Sequence, residues 1–134
     1  MGKFDLIESG YSLSPFTALA TPPLVVPQPH SVICNPRLLQ SSDGSLSYTI
    51  DVSWAAPLNL QGTREVWVTS YYVEFKRGDS GAWGNRQEVS QLYARYENVG
   101  SGTFYARVAA VVAANGKVSQ WRESGAGNLT TVQA

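Results

Sequence analysis

The run LSYTIDVSW, residues 46–54, alternates apolar and polar side chains without a break, setting Leu46, Tyr48, Ile50, Val52 and Trp54 against Ser47, Thr49, Asp51 and Ser53. Successive side chains of an extended chain point to opposite faces, so this period of two specifies a β-strand with one face in a core and one in water. Such a strand needs neighbours that bury the same face. Pro57 ends the run, because proline lacks the backbone donor that a sheet ladder uses.

The neighbours are legible along the chain. In VWVTSYYVEFKRG, Val68, Tyr71, Val73 and Phe75 share a face if a small irregularity falls at Thr69-Ser70, and Tyr72, Glu74 and Lys76 share the other. Gly78 and Gly81 stop this run and Trp83 starts a short segment through Val89, so Gly-Asp-Ser-Gly reads as a hairpin turn in which glycine supplies positive φ. Leu92, Ala94 and Tyr96 alternate, Gly100-Ser101-Gly102 turns the chain, and in GTFYARVAAVVA Phe104, Ala106, Val108 and Ala110 share a face. Asn115-Gly116 is a further turn, followed by a last extended segment over 117–132. With residues 31–39 as the first strand, the tally is about seven short strands and no helical period. The chain is expected to be all-β, a two-sheet sandwich.

Length and composition agree with one folded module. The 134 residues are 43% hydrophobic with four Trp and seven Tyr, enough for a core without metals or bridges. Ten Lys plus Arg offset ten Asp plus Glu and neither sign forms a block, which gives no footing for counterion-release binding to nucleic acid. The single Cys34 has no intramolecular partner, so folding in a reducing cytoplasm is expected. No apolar run approaches the ~20 residues of a membrane helix, and MGKFDLIESG lacks the basic start and apolar stretch of a signal peptide. The segment TPPLVVPQP holds four of the seven prolines and reads as an extended connector, dividing the chain into residues 1–29 and a domain over 30–134.

DVSWAAP, VTSYYVEFK and GTFYARVAAV, in that order and spacing, resemble the second, third and sixth strands of a fibronectin type III domain. The resemblance implies a seven-stranded immunoglobulin-like sandwich in which the third and sixth strands are neighbours. The family's tyrosine near the start of the sixth strand, whose hydroxyl bonds back to the backbone, is matched here by Phe104, so that corner is expected to be held by packing alone. Further upstream, KFDLIESGYSLSP followed by the Pro-rich connector resembles the junction in central tail-tip, or host-specificity, proteins of long-tailed bacteriophages and prophages. On that resemblance, residues 1–29 are the end of a tail-hub segment plus linker. The implied setting is a virion assembled in the bacterial cytoplasm, and the implied partners are other tail-tip domains and a bacterial surface receptor. The isolated module is then expected to be a monomer and the parent protein trimeric. The alternative is an accessory module of a secreted bacterial polysaccharide-degrading enzyme.

The inventory for catalysis is thin. His30 and Cys34 lie ~13 Å apart if extended, and Cys34 reads as a small core residue. The ten carboxylates show no glycosidase-like setting, and no phosphate loop, zinc spacing or nucleophile elbow occurs. Asn128-Leu129-Thr130 fits a glycosylation sequon that matters only in a eukaryotic secretory pathway. A non-enzymatic module without cofactor or metal is expected.

The outward residues of the third and sixth strands are the candidate partner contacts: Tyr72, Tyr105 and Arg107, with Trp67 near one end and Glu74 facing Arg107. Tyr, Trp and Arg concentrate energy at interfaces, although plain cross-strand pairing explains the same residues. Trp83 and Trp121 each follow a turn and are expected to close the open ends of the sandwich. Arg77-Gly78-Asp79-Ser80 spells an animal cell-adhesion tetrapeptide, but it lies on the turn after the third strand. It reads as turn chemistry, with Asp79 and Ser80 bonding local amides.

Overall fold

The computed structural model describes residues 21–100 and 102–124. Eight strands follow in order: β1 (His30–Gln40), β2 (Leu46–Ala55), β3 (Ser70–Arg77), β4 (Gly84–Val89), β5 (Tyr93–Tyr96), β6 (Phe104–Val112), β7 (Lys117–Val118) and β8 (Arg122–Glu123). They form two antiparallel sheets. One has the order β1-β2-β5; in the other β4-β3-β6 is extended by β7 and β8, both paired to β6.

The period-two patterns become the facing surfaces of the two sheets. Ile50, Val52 and Trp54 of β2 are buried together with Tyr71 and Val73 of β3 and Phe104, Ala106, Val108 and Ala110 of β6. Aromatic edges fill the space between: Trp54 meets Tyr71 at 5.4 Å between ring centroids, and Phe75 meets Tyr96 at 4.6 Å and Phe104 at 6.0 Å. These T-shaped contacts suit the ring quadrupole. The β2 pattern departs at one end, where Leu46 is exposed and Thr49 is buried. In β1, Ser31 adopts φ +57°, and the ladder to β2 shifts register between His30 and Ile33.

The expected last strand is broken in two. Lys117 and Val118 pair with Val112 and Val111, and Arg122 and Glu123 pair with Val108 and Arg107. Serines bridge the interruption. Ser119 Oγ accepts from Ala110 N at 2.8 Å and Ser124 Oγ accepts from Ala106 N at 3.2 Å, so the edge of β6 keeps its partners while the chain detours. Trp121 sits on that detour. Residues 125–132 of the expected strand, and the sequon at Asn128, lie outside the described residues.

The corner that a family tyrosine would hold is built differently. Phe104 is fully buried, as expected for a core phenyl ring. Polar groups also secure the corner: the Arg77 guanidinium lies 5.5 Å over the Phe104 ring and donates to Val99 O, and Gly78 N donates to Thr103 O at 2.9 Å. Packing alone is therefore not what holds it. A Cβ at Gly100 would come within 2.7 Å of the Arg77 side chain, so the glycine there makes room for this arginine. A buried tyrosine hydroxyl that bonds to backbone belongs to Tyr96 on β5. It crosses between sheets to donate to Val73 O at 2.7 Å, beside the point where the β3–β4 ladder shifts register. Burial pushes the Tyr96 phenol well above its ordinary range.

The Pro-rich segment lies along the domain as a strap. Val26 joins the core cluster and Pro29 is buried. Asn115 Nδ2 donates to Pro23 O at 3.0 Å, Gln28 Nε2 to Trp121 O at 2.9 Å, and Arg122 Nε to Pro29 O at 3.2 Å. Prolines cannot extend a ladder, so side chains from the β6–β7 turn and β8 reach the strap's carbonyls instead.

Tyr96→Phe leaves Val73 O without its donor in a dry setting, and a loss of about 1–2 kcal/mol is expected. Urea unfolding should show a lower midpoint at unchanged slope.

Candidate interaction surface

The outer face of the β4-β3-β6 sheet is organised around Glu74. Antiparallel register sets Glu74 opposite Arg107. Its Oε1 accepts from Arg107 Nε at 2.9 Å and Nη2 at 2.6 Å, and its Oε2 accepts from Arg86 Nε at 2.9 Å. Only 8% of the Glu74 side chain remains exposed. Burial pushes the carboxyl up, but the hydrogen bonds and charges of Arg107 and Arg86 outweigh it and hold it below the usual glutamate range.

Engaging Glu74 edge-on leaves the faces of the Arg107 guanidinium free, and two tryptophans approach it. The guanidinium carbon lies 4.1 Å from the Trp121 ring centroid and 4.6 Å from that of Trp83. The stack continues both ways. Arg86 lies 5.5 Å from Trp121 and 4.7 Å from Tyr72, while Lys76 Nζ lies 4.9 Å from Trp83 and 5.2 Å from Tyr105. Aromatic and cationic groups thus alternate from Tyr72 through Arg86, Trp121, Arg107, Trp83 and Lys76 to Tyr105. Each contact is worth about 0.5–1 kcal/mol at a surface. Ala109, which faces outward opposite Tyr72, is fully buried in spite of that position.

Three of the four sequence-predicted contact residues, Tyr72, Tyr105 and Arg107, belong to this one face. Trp67 does not. It packs against the core and lines a groove of about 910 Å³ with Pro23, Leu24, Val25, Leu58 and Leu60. Trp67 lies in the turn before β3, where the alternation of the strand does not extend, and both it and Val68 pack inward. Trp83 and Trp121 were expected at the ends of the sandwich and instead stand on its flank, because the outward-facing arginines offer them flat cationic partners. Arg86 and Lys76 were the missing links; each lies on a strand whose outward parity the sequence carries.

The adhesion-like tetrapeptide is engaged by the fold. Gly78 adopts φ +75°, Gly81 N donates to Gly78 O at 3.2 Å and Lys76 Nζ donates to Asp79 O at 3.0 Å. The Asp79 carboxylate accepts from the Tyr105 hydroxyl rather than from local amides, and Arg77 is turned toward Val99. His30 and Cys34 both sit in β1. Burial pushes the Cys34 thiol up to about 12, which leaves it protonated and inert near neutrality. Among the described residues, no group of three or more His, Cys, Asp and Glu side chains is placed to hold a metal ion.

The other sheet carries a matching arrangement. Asp51 on β2 accepts from Arg37 of β1 at 2.9 Å, from Arg95 of β5 at 2.7 Å and from the Tyr93 hydroxyl at 2.8 Å. Burial raises the Asp51 carboxyl, and its arginine and tyrosine partners more than reverse this.

Glu74 and Asp51 both titrate lower in the folded chain than in the unfolded one. The unfolded state therefore binds more protons as pH falls through about 4, so the stabilisation from both groups is present above the ordinary carboxylate range and is lost below it. Glu74→Gln is expected to cost about 2 kcal/mol at neutral pH and to make the loss of stability toward about pH 3 shallower. Urea unfolding across that pH range measures both.

Neither a protein-family profile nor a curated protein matches the chain. Among solved structures it is similar to the twitchin kinase region from C. elegans (Fn31-NL-kin-CRD-Ig26), at 18% sequence identity and a TM-score of 0.55. The likeness covers 75% of this chain and only 16% of that one. At this identity it speaks to fold alone. Together with the two antiparallel sheets and their shared core, it makes the chain a two-sheet β-sandwich of the fibronectin type III-like kind.

Proposed function

We propose that the chain is a non-enzymatic structural and interaction module of a bacteriophage tail-tip protein, contributing to tail-tip architecture or to contact with the bacterial surface. The observation that carries an interaction role is the alternating stack on the outer sheet face, which sets Tyr72, Trp121, Arg107, Trp83 and Tyr105 side by side, each half-buried, at the surface. These are the residue types in which interface energy concentrates. Their geometry is fixed before any partner arrives, which lowers the ordering cost of binding. The tail-tip setting rests on the resemblance of KFDLIESGYSLSP and the following Pro-rich segment to the hub junction of host-specificity proteins. A fibronectin-like fold as one module of a longer chain, as in the twitchin region, suits such a setting.

Antibody raised against this module is expected to label the tail tip of intact virions in electron micrographs. Virions without label would overturn the tail-tip reading. For the surface itself, labelled module should bind bacteria of the host species or slow phage adsorption, and Tyr72→Ala and Tyr105→Ala should weaken this while the module stays folded, with a melting temperature lowered by only a few degrees. Labelled virions with no binding by the module would assign it to tail architecture.

A further inference from the structure

The far end of the Pro-rich strap is held by one side chain. Asn115 Nδ2 donates to Pro23 O at 3.0 Å and Asn115 Oδ1 accepts from Lys117 N at 3.1 Å. Asn115 precedes Gly116, the only Asn-Gly pair in the chain. This pair carries specific chemistry, because a glycine amide has no side chain to shield it from the asparagine carboxamide before it. The Gly116 nitrogen is otherwise occupied in the fold, donating to Val112 O at 2.9 Å. Both reacting groups are therefore tied up by contacts that exist only while the turn and the strap are in place.

We propose that Asn115 is a spontaneous deamidation site kept in check by the docked strap, and that its conversion frees the strap's first residues. In the reaction, Gly116 N bonds to Asn115 Cγ and the Cγ–Nδ2 bond breaks. The carboxamide nitrogen leaves as ammonia, carrying the proton lost from the glycine amide, and a succinimide remains. Water then adds to one of the two ring carbonyls and opens the ring to aspartate or isoaspartate. No oxidant or cofactor is needed. The product carboxylate has no proton to donate to Pro23 O, so two acceptors face each other where a hydrogen bond stood. Isoaspartate also adds a methylene to the backbone between positions 115 and 116, inside the turn that the pairing of Lys117 with Val112 closes. Gln28, Arg122 and the buried Val26 still hold the rest of the strap, so the release is confined to residues 21–25.

Reaction through a locally opened state links the rate to strap docking. The folded chain and the peptide AANGKV are incubated side by side in warm, mildly alkaline buffer, and the amide-to-carboxylate mass gain at Asn115 is followed by peptide mapping. The folded chain should lag the peptide. The variant Val26→Ala, which weakens the buried anchor beside the Asn115–Pro23 contact, should deamidate about three to ten times faster than the parent. Arg37→Ala, a change on the opposite sheet, should leave the rate unchanged. In Asn115→Asp, backbone NMR signals of Leu24 and Val25 should move toward unstructured positions while those of β3 and β6 stay. Deamidation of the folded chain at the peptide's rate would overturn the proposal. So would a strap-loosened variant no faster than the parent, or unmoved Leu24 and Val25 signals in Asn115→Asp.

Discussion

A carboxylate nearly withdrawn from water on an outer sheet face is tolerated only if cations reach it, and much of this molecule's exterior follows from that requirement at Glu74. Arg107 and Arg86 approach from the strands on either side. Their planar groups, spent at the edge on Glu74, keep their faces for Trp83, Trp121 and Tyr72. Trp121 in turn lies on the detour between β7 and β8, and its carbonyl accepts from Gln28 of the strap. One acidic residue in mid-sheet is thereby linked, contact by contact, to the path of the chain into the domain. A lysine at position 107 would keep the charge but lose the two-toothed grip on Oε1 and the flat stack.

The two sheets use the same device. Asp51 sits on the central strand of its sheet with an arginine from each neighbour, as Glu74 sits between β4 and β6. Each carboxylate joins three strands at one level, which fixes lateral register as well as adding energy. A slip of one residue would turn either carboxylate to the core and strand its arginines outside.

Much of the fold was legible because its strands keep strict parity. The period-two runs placed Ile50, Val52, Trp54, Val73, Phe104 and Val108 in the core, and the neighbouring third and sixth strands placed Glu74 against Arg107. Legibility failed where parity is lost. Trp83 and Trp121 lie in segments outside any strand, so nothing local tells which face they take; their positions are set by arginines distant in sequence. The strap was read from its prolines as a connector, since composition reports stiffness but not the carbonyls that Asn115, Gln28 and Arg122 would find. The absent tyrosine at position 104 was visible, but not that Arg77 would supply polar bonds at that corner, nor that Tyr96 would place its buried hydroxyl elsewhere in the core.

The strap also has a mechanical meaning. Its fastenings are met in sequence order from the N-terminal side: Asn115 at Pro23, the buried Val26, Gln28 with Trp121, and Arg122 at Pro29, all before the β1–β2 ladder begins. Tension applied at Thr21 meets these small, separate attachments one after another. These contacts lie outside the ladders of both sheets, so they stand between a pull on the chain and β1. A domain whose chain entered directly into β1 would have no such contacts in between, and the same pull would fall at once on the sheet that carries Asp51.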